Sequence, residues 1–140
     1  MKKLRLLFAA LGLLAGIAVI PAYAQKGAMK INVPFNFAMG DKTYPAGEYA
    51  FSSLKDSVIL QNSGGARIAM VLANHTAAGS AGKIGKVIFA CYAEEQCFVS
   101  QIWISGQDDG RELFRSRMET RAAAKQVERS IALLGTSSPQ

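Results

Sequence analysis

Residues 86–105 read KVIFACYAEEQCFVSQIWIS, and how they pair decides the fold. Two runs rich in β-branched and aromatic residues, Lys86 to Tyr92 and Cys97 to Ser105, flank a short polar stretch. Such runs favour strands. The only two cysteines, Cys91 and Cys97, stand at the inner ends of the runs. If they face each other in an antiparallel hairpin, Phe89 faces Val99 and Val87 faces Gln101. One face then collects Val87, Phe89, Cys91, Cys97, Val99 and Trp103. A slip of one residue would set Cys91 against Phe98 and send Cys97 to the other face. The connecting Tyr92-Ala93-Glu94-Glu95-Gln96 lacks the Gly, Asn or Asp that a tight hairpin wants, so a disulfide clasp would compensate.

Other uses of the cysteines fit less well. A structural zinc takes four ligands, and two cysteines with the single His75 do not supply them. Thioredoxin-like sites use C-x-x-C at a helix N-terminus; here five residues intervene and both flanks are strand-like. A Cys91–Cys97 disulfide is the expectation, and it requires an oxidising compartment.

The start of the chain points there. MKKLRLLFAALGLLAGIAVIPAYAQ places Lys2, Lys3 and Arg5 before an apolar run from Leu6 to Ile20. Pro21 breaks the run, and Ala22-Tyr23-Ala24 supplies a small–x–small cleavage pattern. Residues 1–24 read as a bacterial-type secretory signal peptide, cut before Gln25. The run is shorter than the ~20 apolar residues of a spanning helix. Export to the periplasm or the medium is the expected localisation.

Removing Lys2, Lys3 and Arg5 from the 16 basic residues leaves 13 against 10 acidic ones. Up to Gly110 the signs balance at seven each, so the surplus lies in the tail. A nucleic-acid partner wants a basic face on the fold itself, and none is expected.

Working outward from the hairpin, the body reads as strands and turns. Ile31, Val33, Phe35, Phe37 and Met39 alternate along one strand, with Pro34 marking an edge or an irregular start. Gly40-Asp41 turns into a short Lys42–Tyr44 strand. Tyr44-Pro45-Ala46-Gly47 predicts a type I turn with Gly47 left-handed. Glu48–Leu54, Val58–Leu60 and Arg67–Asn74 follow. The last is apolar at almost every position, which predicts cover on both faces. Gln107–Gly110 turns into a final strand at Arg111–Phe114. About eight short strands with no intervening helix predict a mainly β domain over residues 25–116, an antiparallel barrel or sandwich built as a meander.

The tail changes character. Ser116-Arg117-Met118-Glu119 matches a capping box, and residues 117–134 favour helix, with no glycine or proline. Residues 135–140 read as a flexible tail. On that helix Ala123, Ala124, Val127, Ile131 and Leu134 share one side, and Arg121, Lys125 and Arg129 line the other. The basic row is a candidate contact for a partner or, weakly, an anionic membrane surface. Packing of the apolar stripe on the β domain is the plainer reading.

Val33 to Tyr49, VPFNFAMGDKTYPAGEY, resembles the opening of a family of small, secreted, uncharacterised bacterial proteins with the pattern V-P-F-x-F, a glycine, then P-A-G-x-Y. The segments FVSQIWISG and GRELFRSR resemble its second half. The resemblance implies a compact β domain behind a signal peptide. It implies no activity, cofactor or catalytic residue.

Known chemistries find little purchase. His75 is the one histidine and reads as an exposed loop residue; no G-x-S-x-G elbow accompanies it. Glu94-Glu95 and Asp108-Asp109 are adjacent pairs, whereas glycoside hydrolysis needs carboxyls facing each other across a cleft; both read as turn residues. Asp108-Asp109-Gly110 lacks the alternating ligands of a calcium loop. The glycines before Lys86 miss the phosphate-loop spacing and lead into a strand. The expectation is therefore a module with no catalytic residues, cofactor or metal, binding an unknown small ligand or envelope component. A membrane-surface protein using the basic tail, or an enzyme with an unrecognised site, are the alternatives.

Overall fold

A computed structural model describes residues 27–77, 84–92 and 96–137. The expected signal peptide, residues 1–24, and the pair Glu94-Glu95 lie outside these. The elements run β1 (Met29–Val33), β2 (Phe37–Met39), β3 (Lys42–Tyr44), β4 (Gly47–Leu54), β5 (Ser57–Gln61), β6 (Arg67–Ala77), β7 (Lys86–Tyr92), β8 (Gln96–Trp103), β9 (Asp109–Leu113), α1 (Arg117–Lys125), β10 (Arg129–Leu134) and β11 (Thr136–Ser137). Among the described residues the protein is mainly β, with one helix near the C-terminus. No described helix is long and apolar enough to cross a membrane.

The strands run in the order β10-β7-β8-β9-β6-β5-β4-β1-β11, with β2 pairing both β3 and β8. The sheet does not close into a barrel. It folds on itself as a sandwich, and β6 turns the corner. Arg67–Leu72 pairs with β5 and Ala73–Ala77 with β9. The alternating stretch Ile31–Met39 also changes sheets. It breaks between Val33 and Phe37, so β1 joins β4 while β2 joins β3 and β8. Pro34 sits at that break, where its missing N–H disturbs no ladder. Parity survives the crossing: Val33, Phe37 and Met39 are all buried in one core, with Phe35 packed against it. Phe37 is central there, edge-on to Tyr49 at 5.1 Å and to Phe89 at 5.7 Å between ring centroids. Edge-to-face contacts of this kind add to area burial.

The β7–β8 hairpin forms, and Cys91 and Cys97 are directly opposite and disulfide-bonded. Phe89 faces Val99 as expected, but Ile88 then faces Gln101, leaving Ser100 as an extra residue on β8. This bulge flips the parity of everything beyond it. Ile102 and Ile104 are buried in the core with Cys97 and Val99. Val87 faces Ile102, not Gln101. Trp103, expected on the core face, lies outside it with Lys86 Nζ 5.9 Å above its ring.

Three more expectations are corrected. Gly47 opens β4 without a left-handed backbone; the glycines with positive φ among the described residues are Gly27, Gly40, Gly65 and Gly106. β6 is covered on one side only. Ala73 is buried, but Met70 and Leu72 are exposed on the outer face. Asp109 is not a turn residue but the first residue of β9.

The largest correction concerns the tail. The helix spans Arg117–Lys125, not 117–134, because Gln126 is extended and Arg129–Leu134 becomes β10. Antiparallel pairing with β7 satisfies backbone groups that would otherwise line an open edge. Ile131 and Leu133, two apart, pack against the core, which a helix would not allow. Helix propensity is a weak prior that such tertiary burial overrides. The expected flexible tail begins with β11, which pairs with β1. Between β10 and β11 the chain passes from one edge of the sheet to the other at Gly135, whose N–H donates to the Gly85 carbonyl at 2.8 Å. A Cβ on Gly135 would overlap the buried Met29 side chain.

Candidate binding groove

The short helix begins as its sequence prescribes. Ser116 is the N-cap, its Oγ accepting from the Glu119 N–H at 3.2 Å. The reciprocal half of the capping box is absent. Glu119 turns beneath the helix, where it is buried and its Oε1 accepts from the Tyr92 hydroxyl at 3.1 Å. Burial raises the Glu119 carboxyl above its ordinary pKa. Burial and the adjacent Glu119 also push the Tyr92 hydroxyl up to about 12. The Tyr92 hydroxyl lies 3.4 Å from Glu128 Oε2, and Arg115 donates to that same oxygen at 2.8 Å. This network ties β7, α1 and the approach to β10 together.

Beside it, Ala122 packs on Ala38, Ala90, Tyr92 and Phe98 in a second, smaller apolar cluster on the outer face of the sheet. The helix therefore rests on β7, β8 and Ala38 of β2, and leaves the rest of the β2–β3 hairpin uncovered. A groove of about 880 Å³ remains between them. Its floor is Ala38, Cys97, Phe98 and Ala122; Met118, Arg121 and Lys125 form the helical bank, and Thr43 the opposite one. Gln96 and Gln126 also reach the groove.

The structure thus brings together Arg121, Lys125 and Cys97 of the residues singled out in the sequence. Arg129 does not join them. It lies on β10 opposite Cys91, so the three-cation row of a long helix does not exist. The floor residue Ala38 carried no signal, because its place comes from the parallel pairing of β2 with β8, which links residues far apart in the chain.

His75 is the second constellation that sequence reasoning missed. It lies within β6, not in a loop. Its Nδ1 is 2.6 Å from Asp109 Oδ2 and its Nε2 2.9 Å from Asp56 Oδ1. Arg111 donates to the same Asp109 oxygen at 2.9 Å and to the Lys55 carbonyl at 3.0 Å. Two carboxylates on two ring nitrogens favour the imidazolium, which can donate from both. Hydrogen bonds to Asp109 and Asp56 accordingly raise the His75 pKa above its ordinary value, and the same contact lowers that of Asp109. With both nitrogens occupied, the ring has none to offer a nucleophile. The two carboxylates lie on opposite sides of the ring, so they do not converge on a common point. Among the described residues no group of three or more His, Cys, Asp or Glu is placed to hold a metal ion. The arrangement ties the β4–β5 turn to β6 and β9.

No protein-family model matches the chain, and neither a curated protein nor a solved structure is detectably similar to it. The fold defines a sandwich-like β domain with one helix laid on its outer face, and the site is read from its own geometry.

Proposed function

We propose that the protein is an exported, non-catalytic β module that binds a ligand in the groove between α1 and the β2–β3 hairpin. One observation carries this reading. Arg121 and Lys125 stand on the bank of a recess of about 880 Å³, and among the described residues neither has a hydrogen-bond or ion-pair partner. Ligand sites are typically recesses of roughly 300–1,000 Å³ with an apolar lining and a few placed polar groups. Export is supported by the leader-like residues 1–24 and by the Cys91–Cys97 disulfide, since disulfides persist in oxidising compartments.

Amide hydrogen exchange tests it. The protein without residues 1–24 is mixed with the low-molecular-weight fraction of a bacterial periplasm. Slowed exchange at residues 96–98 and 118–126, lost in Arg121→Glu/Lys125→Glu, is expected. Unchanged exchange there, or protection that survives the double substitution, would sink the reading.

A further inference from the structure

We propose that the groove selects a single-chain amphiphilic anion, a medium-chain carboxylate whose head meets Arg121 and Lys125 and whose tail lies along the floor toward Met118. The inference rests on the binding reading above and specifies its ligand.

Charge comes first. Among the described residues, the charged side chains that line the groove are the cations Arg121 and Lys125, and no carboxylate does. Both cations sit on one bank, four residues apart in α1. At that spacing side chains stack on one helix face about 5–6 Å apart and can converge on one small head group. Arg121 brings a planar fork suited to carboxylate, and Lys125 a point charge. Arg111 and Arg115, by contrast, are committed, to Asp109 and Glu128. Lys125 also sits in the last helical turn, where it complements the negative end of the helix dipole; that role leaves its ammonium free to meet an anion.

The floor comes next. Ala38, Phe98 and Ala122 are buried against one another, and the Cys97 sulfur is spent in the disulfide. Their side chains offer no strong donor or acceptor, so a polar group laid directly on these residues would lose hydrogen bonds to water without replacement there. An alkyl chain loses none. Met118, partly exposed on the bank, is the adaptable side chain that such a tail needs. From Met118 to Lys125 the helix rises about 10 Å at 1.5 Å per residue, a span that head and tail share and that limits the chain to medium length. Asn36, Thr43, Gln96 and Gln126 also line the groove.

A membrane surface fits this geometry less well. Docking on a bilayer uses cations spread over a convex face with apolar groups beside them. Here the cations border a recess, and Arg129 is on a different element.

The test is NMR titration of the protein lacking residues 1–24. The probes are sodium decanoate below micellar concentration, sodium acetate, decyltrimethylammonium, the dipeptide Glu-Glu, and vesicles of phosphatidylglycerol. Decanoate alone should shift the amides of Ala38, Gln96, Phe98 and residues 118–126. Arg121→Gln and Lys125→Gln should each weaken it about tenfold, the loss expected for one charge-assisted contact. Thr43→Trp keeps both cations and narrows the recess; it should weaken decanoate while leaving thermal unfolding unchanged. Equal shifts with decyltrimethylammonium, or with acetate or Glu-Glu in place of decanoate, would overturn the amphiphile assignment. So would vesicle binding that Thr43→Trp does not alter. Protection by the periplasmic fraction without any decanoate shift overturns this inference alone; absence of both overturns the binding reading as well.

Discussion

Tyr92 donates its hydroxyl to a Glu119 carboxylate that is 6 % exposed, so the only described helix is fastened to the sheet through a buried acid. Desolvation is the largest influence on that acid and raises its pKa from 4.5. The native state therefore holds the Glu119 proton more tightly than the unfolded chain does. The stability this contributes is fully present below pH 4.5 and is lost as pH rises through the raised folded value. Glu119→Gln keeps an oxygen for Tyr92 and removes the charge. Thermal unfolding measured from pH 4 to 8 should show a flatter profile and a higher Tm than the parent at pH 8. Tyr92→Phe should have the opposite effect, costing about 1–3 kcal/mol, because it strips a donor from a buried carboxylate. A lower Tm for Glu119→Gln across the whole range would mean that the charge itself holds the helix.

The clasp invites its own measurement. Cys91 and Cys97 enclose five residues, and closing so short a loop in the unfolded chain is worth about 2 kcal/mol. Cys91→Ser/Cys97→Ser should lower denaturant-measured stability by that amount or somewhat more, since both positions are buried. Intact mass without reduction should find no alkylatable thiol in the exported parent. A stability unchanged in the double serine variant would show that the hairpin register is fixed by packing alone.

Local patterning reached some of this arrangement and not the rest, for identifiable reasons. The pairing of Cys91 with Cys97 and of Phe89 with Val99 was legible, because alternation and turn length specify register near a hairpin tip. The exit of Trp103 from the core was not, because a single extra residue at Ser100 reverses parity and Ser100 carries no mark of it. Arg121 and Lys125 were visible as unneutralised charge on a helix. Their groove was not, since Ala38 and Thr43 arrive from the other end of the chain through β2–β8 pairing. The carboxylate partners of His75 stand 19 and 34 residues away, beyond any local motif.

That histidine should make stability depend on pH in a second window. Its folded pKa is raised above 6.5, chiefly by Asp109 and then Asp56. The stabilisation is complete below 6.5 and fades as pH rises through the folded value. Asp109 works in the other direction. Its pKa falls below 3.8 on account of His75, so its contribution is present above 3.8 and lost as pH drops through the folded value. The contact is therefore strongest between these limits, even with the Arg111 charge opposing the imidazolium. All three side chains are substantially exposed, and water screens the gain. His75→Gln should lower Tm at pH 5.5 and leave it nearly unchanged at pH 9. An equal loss at both values would assign His75 a packing role instead.

The tail offers the sharpest discrimination between the two periodicities. On a helix Ile131 and Leu134 would share a face. On β10 the inward pair is Ile131 and Leu133, and Leu134 is 68 % exposed. Leu133→Asp places a charge at the edge of the main core and removes a partly buried apolar side chain. By area and desolvation together it should cost about 2 kcal/mol or more. Leu134→Asp changes a solvent-facing position on an edge strand and should stay within about 0.5 kcal/mol of the parent. The Leu133 change should also speed exchange of the β7 amides bonded to β10, because an edge that loses its partner strand is exposed to water. The reverse ranking, with Leu134→Asp the more damaging, would restore a continuous helix from Arg117 onward and remove β10 from the sheet.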